Sequence, residues 1–166
     1  MRRTSFSDMP CSIARTLEIV GDWWTLLIVR EAFFGRRRFG EFEKALGIAP
    51  NVLTNRLGKL VEGGVLVVSA QSQNGRALEY RLSPKGRDLF PILVAMVHWG
   101  DQHGEWPEGP PVRIVERSTG RDIAPLVMRS QDGTPLAVRD VAAVAGPGAS
   151  EVTRRHLAAL AQPSQH

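Results

Sequence analysis

Polar side chains that could read a nucleic acid recur along residues 48–62. Asn51, Asn55 and Lys59 follow one another at four-residue intervals, so on a helix they lie on one face. Amide and ammonium groups can hydrogen-bond base edges and phosphates in a major groove, which is wide enough to admit a helix. From these residues alone, an ordinary solvated helix face is the simpler explanation of the pattern.

The other side of the same segment is apolar. Four residues form a stripe at helical spacing: Leu53, Leu57, Leu60 and Val61. The stripe predicts that the helix packs on a core. Pro50 suits the first helical position because its fixed φ fits a helix and its missing N–H would lack an intrahelical partner there. We therefore expect the helix to begin at Pro50 and to end before Gly63 and Gly64.

Two segments upstream predict the elements that would position this helix. Residues 25–35 are apolar at nearly every turn and end in Gly35, which suits a helix C-cap. Residues 39–47 form a shorter amphipathic pattern that closes at Gly47. The link from Gly47 to Pro50 leaves room only for a tight turn, so the sequence predicts a helix-turn-helix.

A hairpin is predicted after the polar helix. Residues 65–70 and 77–82 have strand-like patterns, and Asn74 and Gly75 between them form a strong turn signal. In the second strand we expect Leu78, Tyr80 and Leu82 on one face and Glu79 and Arg81 on the other. Arg76 would lie near the hairpin tip, as on the wing of a winged helix-turn-helix.

Helices are also predicted on both sides of this unit. Ser83 and Pro84 begin a strongly apolar helix over residues 84–104, which Pro91 should bend, and residues 11–21 form an amphipathic helix. The apolar excess of residues 84–104 means that the helix either crosses a core or packs on a partner chain. Flanking helices of this kind favour a homodimer that reads two half-sites of duplex DNA.

These blocks resemble the HxlR family of winged helix-turn-helix transcription regulators, which is related to the MarR group. The resemblance covers roughly residues 8–104 and includes Cys11 and the blocks 21–31, 36–46, 49–66, 80–93 and 98–103. It implies a dimeric, cytoplasmic, DNA-binding regulator whose recognition helix begins at Pro50. One departure is Ala49, where the family often has a Ser N-cap. Losing such a cap costs about 1 kcal/mol of helix stability.

On this hypothesis each polar residue of the unit has a role. Asn51, Thr54, Asn55 and Lys59 would face the floor or edge of the groove, and Val52, exposed on a helical wheel, could touch a thymine methyl. Backbone phosphates would be met by three arginines: Arg38, Arg56 and Arg76.

Cys11 is the one residue with possible redox chemistry. It follows Pro10 at the predicted start of a helix, where the helix dipole and Arg15 favour the thiolate. In several HxlR-like regulators an N-terminal cysteine senses oxidants or electrophiles, and the resemblance implies this role here. The alternative is a buried, inert thiol. Five aromatic residues could line an effector pocket or simply form core: Trp23, Trp24, Phe33, Phe34 and Trp99.

The C-terminal third has a different character. Residues 105–111 read as a linker, residues 112–149 as a small β-rich appendage of short strands, and residues 150–166 as a short helix or disordered tail. Longer HxlR relatives carry a tail with paired cysteines that could hold zinc, but Thr119 and Gln131 stand about where the thiols would. We expect no metal here, since neither a hydroxyl nor an amide replaces thiolate as a ligand.

Composition narrows the class of protein. Residues 1–104 hold 14 basic against 10 acidic residues, whereas residues 105–166 hold 7 of each, so the positive excess lies in the proposed DNA-binding part. No apolar run is long enough to span a bilayer, and no signal peptide follows Met1. A single cysteine fits a reducing cytosol.

The expected fold class is α+β: a winged helix-turn-helix over residues 1–104, with flanking dimerisation helices and a small antiparallel β appendage. No cofactor is expected, and no enzyme, because the histidines at 98, 103, 156 and 166 lack metal-site spacing and no nucleophile elbow or phosphate loop is present. The alternatives to a DNA-binding regulator are a dimeric winged-helix adaptor that binds protein and a sensor whose effector is a small molecule other than an oxidant.

Overall fold

The computed structural model of the 166-residue chain describes residues 5–6, 9–69 and 78–160. Its helices and strands follow in chain order: α1 (Ser12–Val20), α2 (Trp23–Phe33), α3 (Phe39–Leu46), α4 (Pro50–Glu62), β1 (Leu66–Ser69), β2 (Glu79–Leu82), α5 (Pro84–Arg87), α6 (Phe90–His103), a 3-10 turn (Val138–Asp140) and α7 (Glu151–Leu160).

The helix-turn-helix predicted from the sequence is confirmed. α3 ends at Gly47, which adopts the left-handed conformation (φ 60°, ψ 25°) and donates its N–H to the carbonyl of Glu43. Glycine adopts this conformation without the steric penalty of a Cβ. Ile48 is buried in the turn, and α4 begins two residues later with Pro50 in its first turn. The turn therefore holds α3 and α4 at a short, fixed separation.

The core lies beneath α4 and is built from the stripe predicted for it. Leu53, Leu57 and Leu60 have no exposed surface. They pack in one cluster with residues of the two preceding helices, among them Ile28, Val29 and Phe42. Each fully buried side chain of this size stabilises the fold by roughly 1.5–3 kcal/mol. The polar face of α4 is thus held outward by the burial of its opposite side.

The two strands pair as an antiparallel hairpin, with Leu66 opposite Leu82 and Ser69 opposite Glu79. The strand pairing predicted from the sequence is therefore confirmed. The turn predicted at Asn74 and Gly75, and Arg76 beside it, lie outside the described residues.

The face alternation expected for β2 is wrong at its outer end. Glu79 is buried, whereas Leu78 is about half exposed. The reason is a pair of arginines: Arg81 Nη2 lies 2.8 Å from Glu79 Oε2, and Arg38 Nε lies 3.8 Å from Oε1. Two cations compensate the carboxylate, so its burial is tolerated.

The apolar helix predicted over residues 84–104 is interrupted. α5 ends at Arg87 and α6 begins at Phe90, with Pro91 in the first turn of α6. Proline has no N–H and crowds the preceding turn, so a new helix start accommodates it better than a bend does. Ser83 caps α5 as expected, since its Oγ accepts the N–H of Gly86 at 2.9 Å.

The C-terminal strands expected after the linker are reduced to single antiparallel bridges. One bridge joins Val115 to Asp122 and the other joins Arg129 to Pro135. No residue from 104 to 160 is buried, so there is no apolar layer that would extend the bridges into strands. The short helix allowed by the sequence is present as α7, and Ser150 Oγ accepts the N–H of Thr153 at 3.1 Å.

The chain divides into two compact units. One unit comprises Ile19–Leu126 and contains the helix-turn-helix, the hairpin and α6; the other comprises the parts of the chain before Ile19 and after Leu126. The predicted boundaries at residues 104, 111 and 149 stay predictions. Over the ranges that the structure describes, no helix has the length and apolar character needed to cross a membrane.

Candidate nucleic-acid interface

α4 presents four of the predicted site residues on its solvent side: Asn51, Thr54, Asn55 and Lys59, all exposed. The Thr54 hydroxyl donates to the carbonyl of Pro50 at 2.8 Å, so its oxygen remains able to accept a hydrogen bond. Ala49 stands at the N-cap with no side-chain hydrogen bond, as its residue type requires. The face therefore offers amide, hydroxyl and ammonium groups in one row.

The exposure expected for Val52 is not found. Val52 is half-buried and packs against the core cluster. It lies at the edge of the apolar stripe, beside Leu53, where the core reaches around the helix. Only part of its side chain faces solvent.

Arg56 is engaged within the fold. Its Nη2 lies 2.6 Å from Asp22 Oδ2, and both side chains are largely buried, with 21% and 14% exposed. The other oxygen of Asp22 accepts the N–H of Trp24 at 3.1 Å and so caps α2. The pair joins the middle of α4 to the start of α2, so Arg56 has less freedom to reach a phosphate than its sequence position suggested.

Arg38 stands at the N-cap of α3 with an exposed side chain. Beneath it, the Glu41 carboxylate accepts the backbone N–H groups of Arg37 and Arg38 at 2.8 and 3.0 Å. These two hydrogen bonds lower the pKa of Glu41 because they stabilise its charged form. Arg38 is thus presented to solvent from a helix start that Glu41 holds in place.

A further basic concavity was missed by the sequence reasoning. Four arginines line a cavity of about 300 Å³: Arg36, Arg37, Arg81 and Arg87. The run of three arginines at 36–38 was a visible signal. The contribution of Arg81 and Arg87 depends on how β2 and α5 fold back on the end of α2, which local sequence does not reveal.

The five aromatic residues proposed for an effector pocket do not form one cluster. Trp24 and Phe33 pack against the core, and Phe33 and Phe34 both line a cavity of about 530 Å³. Trp23 and Trp99 are 87% and 68% exposed and are not part of that lining. Helical spacing alone could not separate core aromatics from exposed ones.

Cys11 is half-buried just before α1, and its carbonyl accepts the N–H of Arg15 at 3.0 Å. The expected position at a helix start is therefore found. Within the described ranges, no group of three or more His, Cys, Asp or Glu side chains is arranged to hold a metal ion.

Comparison with known proteins places this arrangement in a family. The family model described as HxlR-like helix-turn-helix matches residues 19–108. An HTH-type transcriptional regulator of Mycobacterium tuberculosis, Rv3095, is 42% identical over 137 residues, which cover 82% of this chain and 87% of that protein.

Two solved structures extend the likeness to the fold. The crystal structure of the transcription factor PA1607 is 47% identical with a TM-score of 0.79, covering 84% of this chain and 98% of its own. The redox regulator HypR in its oxidised form is 30% identical with a TM-score of 0.51, covering 58% of this chain and 100% of its own. These relatives are regulators and not enzymes. The chain therefore belongs to the HxlR family of helix-turn-helix proteins and is a transcriptional regulator with a winged-helix fold.

Proposed function

We propose that the protein acts in the cytoplasm as a homodimer that inserts α4 of each copy into the major groove of a pseudo-palindromic operator. The observation that carries this proposal is the division of α4 into two faces. Its leucines are fully buried while its amides and ammonium group are exposed. Such a helix can approach base edges without disturbing the core that holds it.

Within this proposal the residues fall into three roles. Asn51 and Asn55 read base edges, since an amide can pair bidentately with adenine. Lys59 and Arg38 contact phosphates, joined by Arg37 and Arg87 of the basic concavity and by Arg76, which lies outside the described residues. Arg56 is a positioning residue, because its guanidinium is bound to Asp22 at 2.6 Å.

Exposed apolar side chains support the dimer. α6 leaves Ile92, Met96 and Trp99 exposed at intervals of four and three residues, and α1 leaves Ile13 and Leu17 exposed. Each pair or triplet lies on one side of its helix. Burying two such faces between copies would remove apolar surface that a monomeric protein rarely leaves in water.

The test is fluorescence anisotropy with the duplex upstream of the protein's own gene, measured over a range of salt concentrations. Asn55→Ala should weaken binding to the operator by about 1–3 kcal/mol and relax its sequence preference. Lys59→Ala should weaken binding to every duplex and flatten the salt dependence. Glu151→Gln, at the start of α7, is the control and should bind as the wild type does.

Equal losses on all sequences for Asn55→Ala would contradict base reading. The alternative function, a winged-helix adaptor for protein partners, predicts no salt-dependent binding to any duplex. That result in the wild type would favour the adaptor and overturn the DNA-binding proposal.

A response to oxidants through Cys11 is a second candidate, favoured by the likeness to a redox regulator. Two Cys11 thiols from two chains would form one disulfide, while an oxidant such as hydrogen peroxide is reduced to water and takes up both hydrogens. A non-reducing gel after mild peroxide should show a dimer band that Cys11→Ser abolishes. If operator binding responds to peroxide identically in Cys11→Ser, the thiol is not the sensor.

A further inference from the structure

An apolar cavity of the winged-helix unit has the features of a ligand site. It has a volume of about 530 Å³, within the range of pockets that hold small molecules. α2, α6 and the segment after α6 form its walls, and aromatic and aliphatic side chains dominate the lining, among them Phe33, Phe34, Phe90, Val97, Trp106 and Ile114. Phe33 and Phe90 are in contact, with ring centroids 5.2 Å apart.

One hydrogen bond ties the segment after α6 to that helix, and two further interactions fold the segment on itself. The Trp106 indole N–H donates to the carbonyl of Gly100 at 3.0 Å, which folds the chain back onto α6. Farther along, Ile114 accepts the N–H of Ile123 at 3.1 Å, and Arg113 is paired with Asp122 at 2.7 Å. Residues 106–123 are therefore folded on themselves and tied to α6, and four of them line the cavity although none is buried: Trp106, Pro111, Val112 and Ile114.

One group of charges lies at the edge of the apolar lining. Glu31 is buried, and its two oxygens are each bound by an arginine: Arg30 Nη2 lies 2.6 Å from Oε1, and Arg36 Nε lies 2.9 Å from Oε2. Two guanidinium groups thus share one carboxylate. Each arginine side chain is about two-fifths exposed, so N–H donors not used by Glu31 can bind an anion.

Asp101 is the remaining ionisable residue of the lining, and by itself it would favour a cation. It supplies one carboxylate on α6, whereas the two arginines on the opposite wall supply planar forks of donors that suit an oxygen anion. If the cavity prefers an anion, the two arginines hold the charged group of the ligand. If it prefers a cation, Asp101 does.

We infer that this cavity binds one aromatic molecule carrying a carboxylate per chain, with the ring among the phenylalanines and the carboxylate on Arg30 and Arg36. The segment 106–123 covers the bound molecule. The regulatory meaning of this binding rests on the proposed function, whereas the binding itself does not require DNA.

The share of this chain that each solved relative covers predicts in which relatives the cavity recurs. HypR is matched over its whole length by 58% of this chain, whereas PA1607 covers 84% of it. A protein of the length of HypR matches little beyond the helix-turn-helix domain, so we expect the covered cavity in relatives of the PA1607 kind and not in the shorter ones.

Isothermal titration calorimetry on the full chain without DNA tests the inference, with 2-naphthoate and the neutral 2-naphthalenemethanol as probes. Naphthoate should bind with one molecule per chain and about tenfold more tightly than the alcohol, because it gains charge-assisted hydrogen bonds. Val112→Trp, which places a bulky ring in the lining, and Arg36→Gln should each weaken naphthoate binding by about tenfold or more. Val115→Trp, on the same segment but not in the lining, and Arg37→Gln are the matched controls and should bind as the wild type does.

The inference is overturned if naphthoate does not bind, if the alcohol binds as tightly, if the cationic 2-naphthylmethylamine, titrated in the same way, binds as tightly, or if Val112→Trp binds like its control. Should Arg36→Gln fail to fold because Glu31 loses a partner, Val112→Trp and the comparison of the two probes decide alone. Anisotropy on the operator duplex is measured in parallel. If the wild-type protein binds naphthoate but does not bind the operator duplex, the proposed function is contradicted and the inference about the cavity is not.

Discussion

Asp22 connects two elements through its two oxygens. One oxygen accepts the N–H of Trp24 and caps α2, and the other binds Arg56 on α4 at 2.6 Å. The cap could be inferred from an Asp ahead of an apolar helix. The pairing with Arg56 could not, because the two residues are far apart in sequence and only the packing of α4 on α2 brings them together. Residue types thus indicated which side chains matter, but not which of them meet.

Two substitutions at Asp22 separate the cap from the ion pair. Asp22→Asn keeps an equally good N-cap and loses the charge, so we expect a loss of about 2 kcal/mol from the free energy of unfolding. Asp22→Ala should lose about 1 kcal/mol more, because the cap is removed as well. Urea denaturation at neutral pH measures both. Identical stabilities of Asp22→Asn and the wild type would show that the pair contributes nothing.

The Glu41 carboxylate makes the stability of the helix-turn-helix dependent on pH. Its pKa is lowered below the ordinary value of 4.5 by the N–H groups of Arg37 and Arg38. The charged form is therefore favoured by folding, so this contribution is present above pH 4.5 and is lost as pH falls through the lowered pKa.

Glu41→Gln should accordingly be less stable than the wild type at neutral pH, and the difference should shrink in acid. Denaturation at a series of pH values down to about 3 measures this trend. Glu43→Gln removes the same charge from α3 without removing the two backbone contacts, and its difference from the wild type should vary less with pH. A difference for Glu41→Gln that stays constant across the series would contradict the assignment.

At the scale of elements, α4 contains a glycine where a helix former would be more stable. Gly58 lies in the interior of the helix, on the exposed side, and a Cβ added there would meet no atom within 4 Å. Glycine in a helix interior costs about 0.5–1 kcal/mol relative to alanine. The fold gains nothing from this residue, whereas the proposed insertion of α4 into a groove would gain a closer approach of the helix backbone to DNA.

Gly58→Ala should therefore raise the free energy of unfolding by about 0.5–1 kcal/mol and weaken operator binding. Denaturation and anisotropy on the same sample measure the two effects, with Gly47→Ala for comparison. At Gly47 the left-handed φ of 60° makes alanine destabilising by about 1–2 kcal/mol. If Gly58→Ala bound the operator as tightly as the wild type, α4 would not approach DNA along this face.

The elements that could be predicted from the sequence are those whose local pattern agrees with their burial. The leucine stripe of α4, the glycine at the end of α3 and the pairing of β1 with β2 belong to this group. Two predictions were wrong. Glu79 does not lie on an exposed face of β2, and the helix after Ser83 is not continuous. Glu79 is buried because Arg81 of the same strand and Arg38 at the start of α3 both reach its carboxylate, and Pro91 begins a new helix. Apolar and polar residues alternate in the C-terminal segments as they do in strands, but no described residue there is buried. Local alternation does not reveal whether a core is present for a strand to pack on.

At the scale of the whole molecule, the exposed apolar side of α6 carries the dimer proposal. Met96 and Trp99 are 51% and 68% exposed. Replacing both by Glu should leave monomers in sedimentation velocity, because two charged side chains per copy would have to be buried in the interface. Operator affinity should also fall, because a monomer presents one α4 to the DNA and a dimer presents two.

Val115→Glu adds a charge at an exposed valine of the same unit that is not part of α6, and should leave the oligomeric state unchanged. Dimers that persist after both α6 substitutions would place the interface elsewhere. Monomers that still bind the operator with wild-type affinity would separate DNA recognition from assembly.

The joint at the base of the hairpin limits how α4 can move relative to the two strands. Ser83 donates its hydroxyl to the carbonyl of Gly64 at 2.6 Å and accepts the N–H of Gly86. A Cβ at Gly86 would lie 2.2 Å from the carbonyl oxygen of Val65, so α5 abuts the chain immediately after α4. The exit of α4, both strand bases and α5 must therefore travel as a single rigid body. In the proposed dimer, a signal that changes the distance between the two copies of α4 would have to move that body as a whole, because bending at this joint would break its hydrogen bonds.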